Sequence, residues 1–335
     1  SGAVSRQIRG YQEIRNFKIA NSVPPSLQFN PLPVGMQIPA NKGLWDWNSA
    51  IATQVIRDED NLAFLSIPEL ASLIKNQKIT SEELTHFFIE RLKKFDPELL
   101  CVVSLTEKEA LIMARKADQE IKAGHYKGIL HGIPFGVKDL LAFPGYPTSW
   151  GAMPYKDQVF EETATVIKKL TDAGAILLAK LSLGALAMGD VWYGGTTKNP
   201  WNTKKGSSGS SAGPASAVSA GLLPFAIGSE TLGSITSPST RCAVTGLRPG
   251  FGRVSKFGAM ALSWSMDKLG PICRSAEDCA IIFDHIRGED GLDLSVFDAE
   301  FAYPEIKNLQ NLKIAYLSDL FDQEYSYKDN DLKAL

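Results

Sequence analysis

Between Lys205 and Gly252 the chain reads KGSSGSSAGPASAVSAGLLPFAIGSETLGSITSPSTRCAVTGLRPGFG. Two polar turns rich in glycine and serine enclose a segment, AVSAGLLPFAI, that requires burial. Small residues at helical spacing fill its first half, and a short apolar strand fills its second. A flexible linker is the default reading of a Gly/Ser-rich run, but a linker would not carry such a segment in its middle. Both turns therefore sit at the ends of packed elements, where side chains and amides are held in place. The second turn, GSETLGS at 228–234, leaves the strand with successive amides around glycines. Such a run forms an anion-binding concavity. With a serine inside it, it forms an oxyanion site beside a nucleophile.

Ahead of this stretch the pattern alternates. Residues 1–60 are proline-rich and aperiodic around SVPPSLQFNPLPVGMQIPANKG, which predicts an extended or partly disordered N-terminal extension pinned by Leu44, Trp45 and Trp47. Residues 61–335 form the folded domain. Thr80 and Glu83 make a capping box before SEELTHFFIERLKKF. There Leu84, Phe87, Phe88, Leu92 and Phe95 define one buried stripe and His86 falls off it. CVVSL is a strand, and TEKEALIMARKADQEIKAG is an amphipathic helix stopped at Gly124. TATVIKKLTDAG is a helix and AILLAK a strand. The segment from Leu181 to Asn202 reads as a loop in which Met188 and Trp192 pack. SAEDCAIIFDHIRG is a helix begun by Ser275 with Asp278 three residues on, and LKIAYLSDL is a last strand.

The 335 residues carry a formal net charge of −2 and 44% hydrophobic residues, as in a soluble globular protein. No Lys/Arg cluster marks a nucleic-acid surface, and no apolar run is long enough for a transmembrane segment. Cys101, Cys242, Cys273 and Cys279 have neither metal nor redox spacing and are expected as buried thiols. His86, His125, His131 and His285 are scattered, so neither a histidine-based triad nor a metal site is expected. No cofactor is implied. No GxxxxGK[ST] occurs, which sets aside a nucleotide-binding reading of the glycine-rich loop. A start at Ser1 implies processing or an added start. A cytoplasmic location is expected, with export after signal removal as the alternative.

One lysine stands apart. In HGIPFGVKDLL, Lys138 ends a strand-like apolar run before a turn. Burial disfavours the charged amine, and a neutral lysine acts as a general base.

Taken together, GIPFGVKDLLAFPGYPTS, SGSSAGPASAVSAG, GSETLGSIT and GLRPGFGRVS resemble, in order, the motifs of the amidase signature family of serine amide hydrolases. The likeness runs from about Asn61 to the end of the chain. It implies an α/β fold, with a mixed twisted β-sheet core covered by helices on both faces, which the alternating pattern allows. It implies Ser234 as nucleophile, Lys138 as base, and Ser210 as the bridge between them, with a cis peptide at Gly209–Ser210. Ser211 would support the bridge by hydrogen bonding, and Ser207 and Ser208 read as loop. Thr231, Leu232, Gly233 and Ser234 would supply oxyanion amides, and Ala187 would fall on the pocket wall. Three departures stand out. SLGALAMG lacks two acidic residues common in the family, Leu232 replaces a glycine, and Thr236 replaces an arginine. Family members also run well past the length of this chain, so the C-terminal part of the fold is expected to be missing.

The activity implied is hydrolysis of a small-molecule carboxylic amide through a serine acyl-enzyme. One alternative is the glutaminase subunit of a tRNA-dependent amidotransferase, the single reading that brings in a nucleic acid and a partner subunit. Another is a non-catalytic binding protein on the same fold. Homo-oligomerisation is left open.

Overall fold

The computed structural model describes residues 44–53, 55, 61–301, 303 and 310. The chain divides into two units, residues 1–301 and 302–335; of the second, only residues 303 and 310 are described. Most of the N-terminal extension, the residues just before its boundary at 60, and LKIAYLSDL lie outside the described residues. Within the first unit, Trp47 is buried and its Nε1 donates to Asp284 Oδ2 at 2.9 Å. Trp45 holds the same oxygen through its backbone N–H at 2.7 Å, while its side chain and that of Leu44 are exposed.

Helices α1 (Ile67–Lys75) and α2 (Ser81–Leu99) both begin on complete capping boxes, Ser66 with Glu69 and Thr80 with Glu83. The buried face of α2 carries Leu84, Thr85, Phe88, Ile89 and Leu92. Phe87 and Phe95 are only half-buried, because the Arg91 guanidinium lies over both rings, 5.7 and 5.2 Å from their centroids. His86 is exposed.

Six strands form the central sheet: β1 (Val102–Leu105), β2 (Pro134–Lys138), β3 (Ile176–Leu181), β8 (Phe225–Glu230), β9 (Thr245–Gly246) and β10 (Lys268–Cys273). Their order is β1-β3-β2-β8-β10-β9. β2 runs parallel to β3 and β8, and the outer pairs are antiparallel. Every residue of β2, β3 and β8 is buried, as parallel strands covered on both faces require. The polar residues on these strands therefore stand out: Lys138, Lys180, Ser229 and Glu230, all near C-terminal strand ends. Between β3 and β8, the segment expected as plain loop folds into two short ribbons, β4 (Val191–Trp192) with β5 (Gly195–Thr196), and β6 (Lys198–Asn199) with β7 (Asn202–Gly206). Trp192 packs there, whereas Met188 is exposed.

Helices cover both faces. α3 (Glu107–Lys122) packs on α2 and β3; α5 (Ala212–Ser219) packs on β8 and β2; α7 (Ala276–Ile286) packs on β10, β9 and α4 (Thr165–Asp172). A short helix, α6 (Thr236–Cys242), follows the second polar turn. α5 sits close to the sheet because Gly213 has no side chain. A Cβ there would lie 2.4 Å from Ser182 N and 2.5 Å from Cys101 O. Gly213→Ala is thus expected to cost about 1–3 kcal/mol by overpacking, read as a lower denaturant midpoint; a wild-type midpoint would mean that α5 can lift off the strand ends. All four cysteines are buried and free.

Candidate active site

β2 delivers Lys138 to the centre of the sheet at its C-terminal end, where open α/β sheets hold ligands. The side chain is fully buried. Its Nζ lies 2.7 Å from Ser210 Oγ, 2.8 Å from Ser229 Oγ, 3.2 Å from Ser211 Oγ and 3.4 Å from Ser229 O. No carboxylate among the described residues pairs with it. Burial therefore pushes its pKa down to about 7, against the more distant charges of Asp267 and Glu230, which pull it up.

The first polar turn supplies the hydroxyls around that amine. The Gly209–Ser210 peptide is cis. Ser211 opens α5, and its Oγ donates to Ser229 O at 3.0 Å and accepts from Ser229 N at 3.1 Å. Ser211 thus clamps the turn onto β8. Ser211 N also donates to Ser234 O at 3.0 Å, tying the two polar turns together. Ser234 is half-buried, and its hydroxyl has no hydrogen-bond partner among the described residues. The structure thus brings Lys138 and Ser210 into direct contact, and shows no hydrogen bond between the Ser210 and Ser234 hydroxyls. Both serines line one cavity of about 360 Å³. Ala187, 7% exposed, stands on its wall, with Leu140, Met260, Leu262 and Trp264.

The second turn carries Thr231, Leu232 and Gly233 past the cavity. Gly233 has φ +91°, a conformation that favours glycine. Leu232, the residue in place of a glycine, needs no such angle and points its side chain outward, 80% exposed. The N–H groups of Leu232 and Ser234 meet no protein acceptor among the described residues. Gly233 N–H faces the Glu230 carboxylate instead.

Glu230 was not singled out by the sequence. It is buried, and its Oε2 accepts from Ile235 N at 2.8 Å and Thr236 N at 2.9 Å, which caps α6 from outside that helix. Burial alone would raise its pKa; the amides of Thr236, Ile235 and Gly233, with Arg248, hold it below the ordinary value. Thr236, at the position of the absent arginine, also gives its hydroxyl to this carboxylate at 3.2 Å. Ser229 was missed as well. Its signal was two polar residues closing a strand that is otherwise apolar and covered on both faces. Beside Lys138 lies a fully buried ion pair, Lys180 Nζ to Asp139 Oδ1 at 2.9 Å. Ser149 N and Oγ donate to Asp139 Oδ2 at 2.8 and 2.5 Å, and Lys180 reaches Pro147 O at 2.6 Å. Burial raises the Asp139 pKa and lowers that of Lys180.

The chain and its fold have relatives. The model of the Amidase family matches residues 83–332. The chain is 38% identical over 276 residues to the A subunit of the glutamyl-tRNA(Gln) amidotransferase of Acinetobacter baumannii, an alignment that takes in 81% of this chain and 56% of the relative. Among solved structures, an amidase family protein from Bacillus anthracis superposes with a TM-score of 0.68 at 34% identity, over 71% of this chain and 49% of that one. The native peptide amidase of Stenotrophomonas maltophilia gives 0.67 at 33% identity, over 71% and 50%. The chain spans about half the length of these relatives.

Proposed function

Since the chain belongs to the amidase signature family, we propose that it carries the catalytic half of a serine amide hydrolase, with Ser234 as nucleophile, Ser210 as relay and Lys138 as base. The observation that carries this reading is the buried Lys138 amine, 2.7 Å from Ser210 Oγ, with Ser210 and Ser234 opening to one cavity.

The chemistry follows from the charges. With a pKa near 7, Lys138 is substantially neutral at neutral pH and has a lone pair for the Ser210 proton. Ser210 in turn takes the proton of Ser234 as the Ser234 oxygen bonds to the amide carbon. The carbonyl oxygen becomes an oxyanion facing the amides of the 231–234 turn. Breaking the C–N bond returns the proton through Ser210 to the leaving nitrogen. Water then attacks the acyl ester by the same relay, releasing the acid and regenerating Ser234. Substrate entry must bring the two serine hydroxyls into hydrogen-bond contact, as catalytic contacts often tighten only in the complex.

A fluorophosphonate probe tests the assignment. The wild-type chain should be labelled at one serine, and Ser234→Ala should lose all labelling. Labelling that persists in Ser234→Ala would move the nucleophile elsewhere. The substrate is a small-molecule amide. A second reading, the glutaminase subunit of a tRNA-dependent amidotransferase, draws support from the Acinetobacter baumannii relative. Ammonia release from glutamine in the presence of partner subunits would select it. Thr236 in place of an arginine, and the loss of two acidic residues in SLGALAMG, weigh against that second reading. No helix among the described residues is long and apolar enough to cross a membrane.

A further inference from the structure

Asp267 sits just before β10, buried, on the wall of the same cavity. Its two oxygens hold two different segments. Oδ1 accepts the Thr231 hydroxyl at 2.5 Å, at the start of the turn that carries Ser234. Oδ2 accepts Leu262 N at 2.7 Å and Ser263 N at 2.9 Å, at the start of the loop that carries Trp264 over the cavity. Lys268, the next residue, adds a second tie, its Nζ donating to Thr231 O at 3.0 Å. The nucleophile turn and the apolar cavity wall are therefore fastened through one carboxylate. Nothing else about this aspartate explains its burial, because no cation among the described residues pairs with it directly.

From this geometry we infer that Asp267 is a positioning residue for the hydrolase site: with Thr231 it braces the 231–234 turn against the 262–264 wall. The inference rests on the hydrolase reading above. The brace matters because it holds the Thr231 end of the turn, while Ser211 N holds the Ser234 end. The N–H groups of Leu232 and Ser234, between and beside these ties, have no protein acceptor among the described residues. A displacement of about 1 Å in such a group costs on the order of 100-fold in rate.

Fluorophosphonate labelling rates test the brace. Thr231→Val removes the hydroxyl that Asp267 holds. Labelling should slow about 10- to 100-fold, and Thr231→Ser should restore the rate. Asp267→Asn, which sets an amide N–H against the N–H groups of Leu262 and Ser263, should slow it likewise. Thr231→Val at the wild-type rate overturns the brace. Should Asp267→Asn not fold, the Thr231 pair still decides it. Absence of wild-type labelling at Ser234 overturns the hydrolase reading itself, and this inference with it.

Discussion

Lys138→Ala is expected to slow acylation of Ser234 by about 10²–10⁴-fold, the usual worth of a positioned general base. Lys138→Arg should fare no better, although it keeps the length and the charge. A guanidinium does not give up its proton within a protein, so it offers no lone pair to Ser210. In the wild type the sign is set by the amine. Below about pH 7, Lys138 carries a proton and cannot accept another; above it, the free base accumulates. Labelling should therefore rise with pH through about 7 and then level off. An acid limb near pH 4 would point to a carboxylate as the base, and undiminished labelling of Lys138→Ala would remove the lysine from the mechanism.

The second large effect concerns stability. Asp139 and Lys180 are both wholly buried and stand 2.9 Å apart. Removing one partner strands the other charge inside the protein. Asp139→Ala or Lys180→Ala is expected to cost about 3–5 kcal/mol, whereas replacing both with apolar residues of similar volume should cost less than the two losses together, the remainder coming from the Ser149 and Pro147 groups left unpaired. Denaturant midpoints of the two single variants and of Asp139→Leu with Lys180→Met would show it. If the losses of the single variants simply add in the double, the pair is not a unit. Asp139 directly follows Lys138, and its N–H donates to Leu181 O at 2.8 Å, so the pair lies at the strand end that presents the Lys138 amine.

The legible parts of the chain were those governed by local chemistry. Thr80 with Glu83, and Ser275 with Asp278, cap helices where the pattern places them. The apolar runs around Val137, Leu177 and Ile227 became the buried centre of the sheet. Lys138 and Ser210, 72 residues apart, lie within hydrogen-bond distance. What stayed hidden depends on contacts distant in sequence or on competition for a side chain. Helix α6 is short, rich in Ser and Thr, and holds Pro238, all poor helix signals. It forms with its first amides gathered on Glu230, which no helical periodicity reveals. Asp267 meets Thr231 across 36 residues. Phe87 and Phe95 looked like core, but Arg91 keeps both at the surface, because a guanidinium over an aromatic face does not need full desolvation.

The oxygens around the Lys138 nitrogen have one further consequence. Three of them belong to serine hydroxyls, and each hydroxyl turns about its own C–O bond. When the nitrogen is an ammonium, all three can present lone pairs; when it is an amine, one can swing its hydrogen inward. Around Lys138 itself, the gain or loss of a proton can therefore be answered by turning hydroxyls, with the strand ends that hold the nitrogen unchanged.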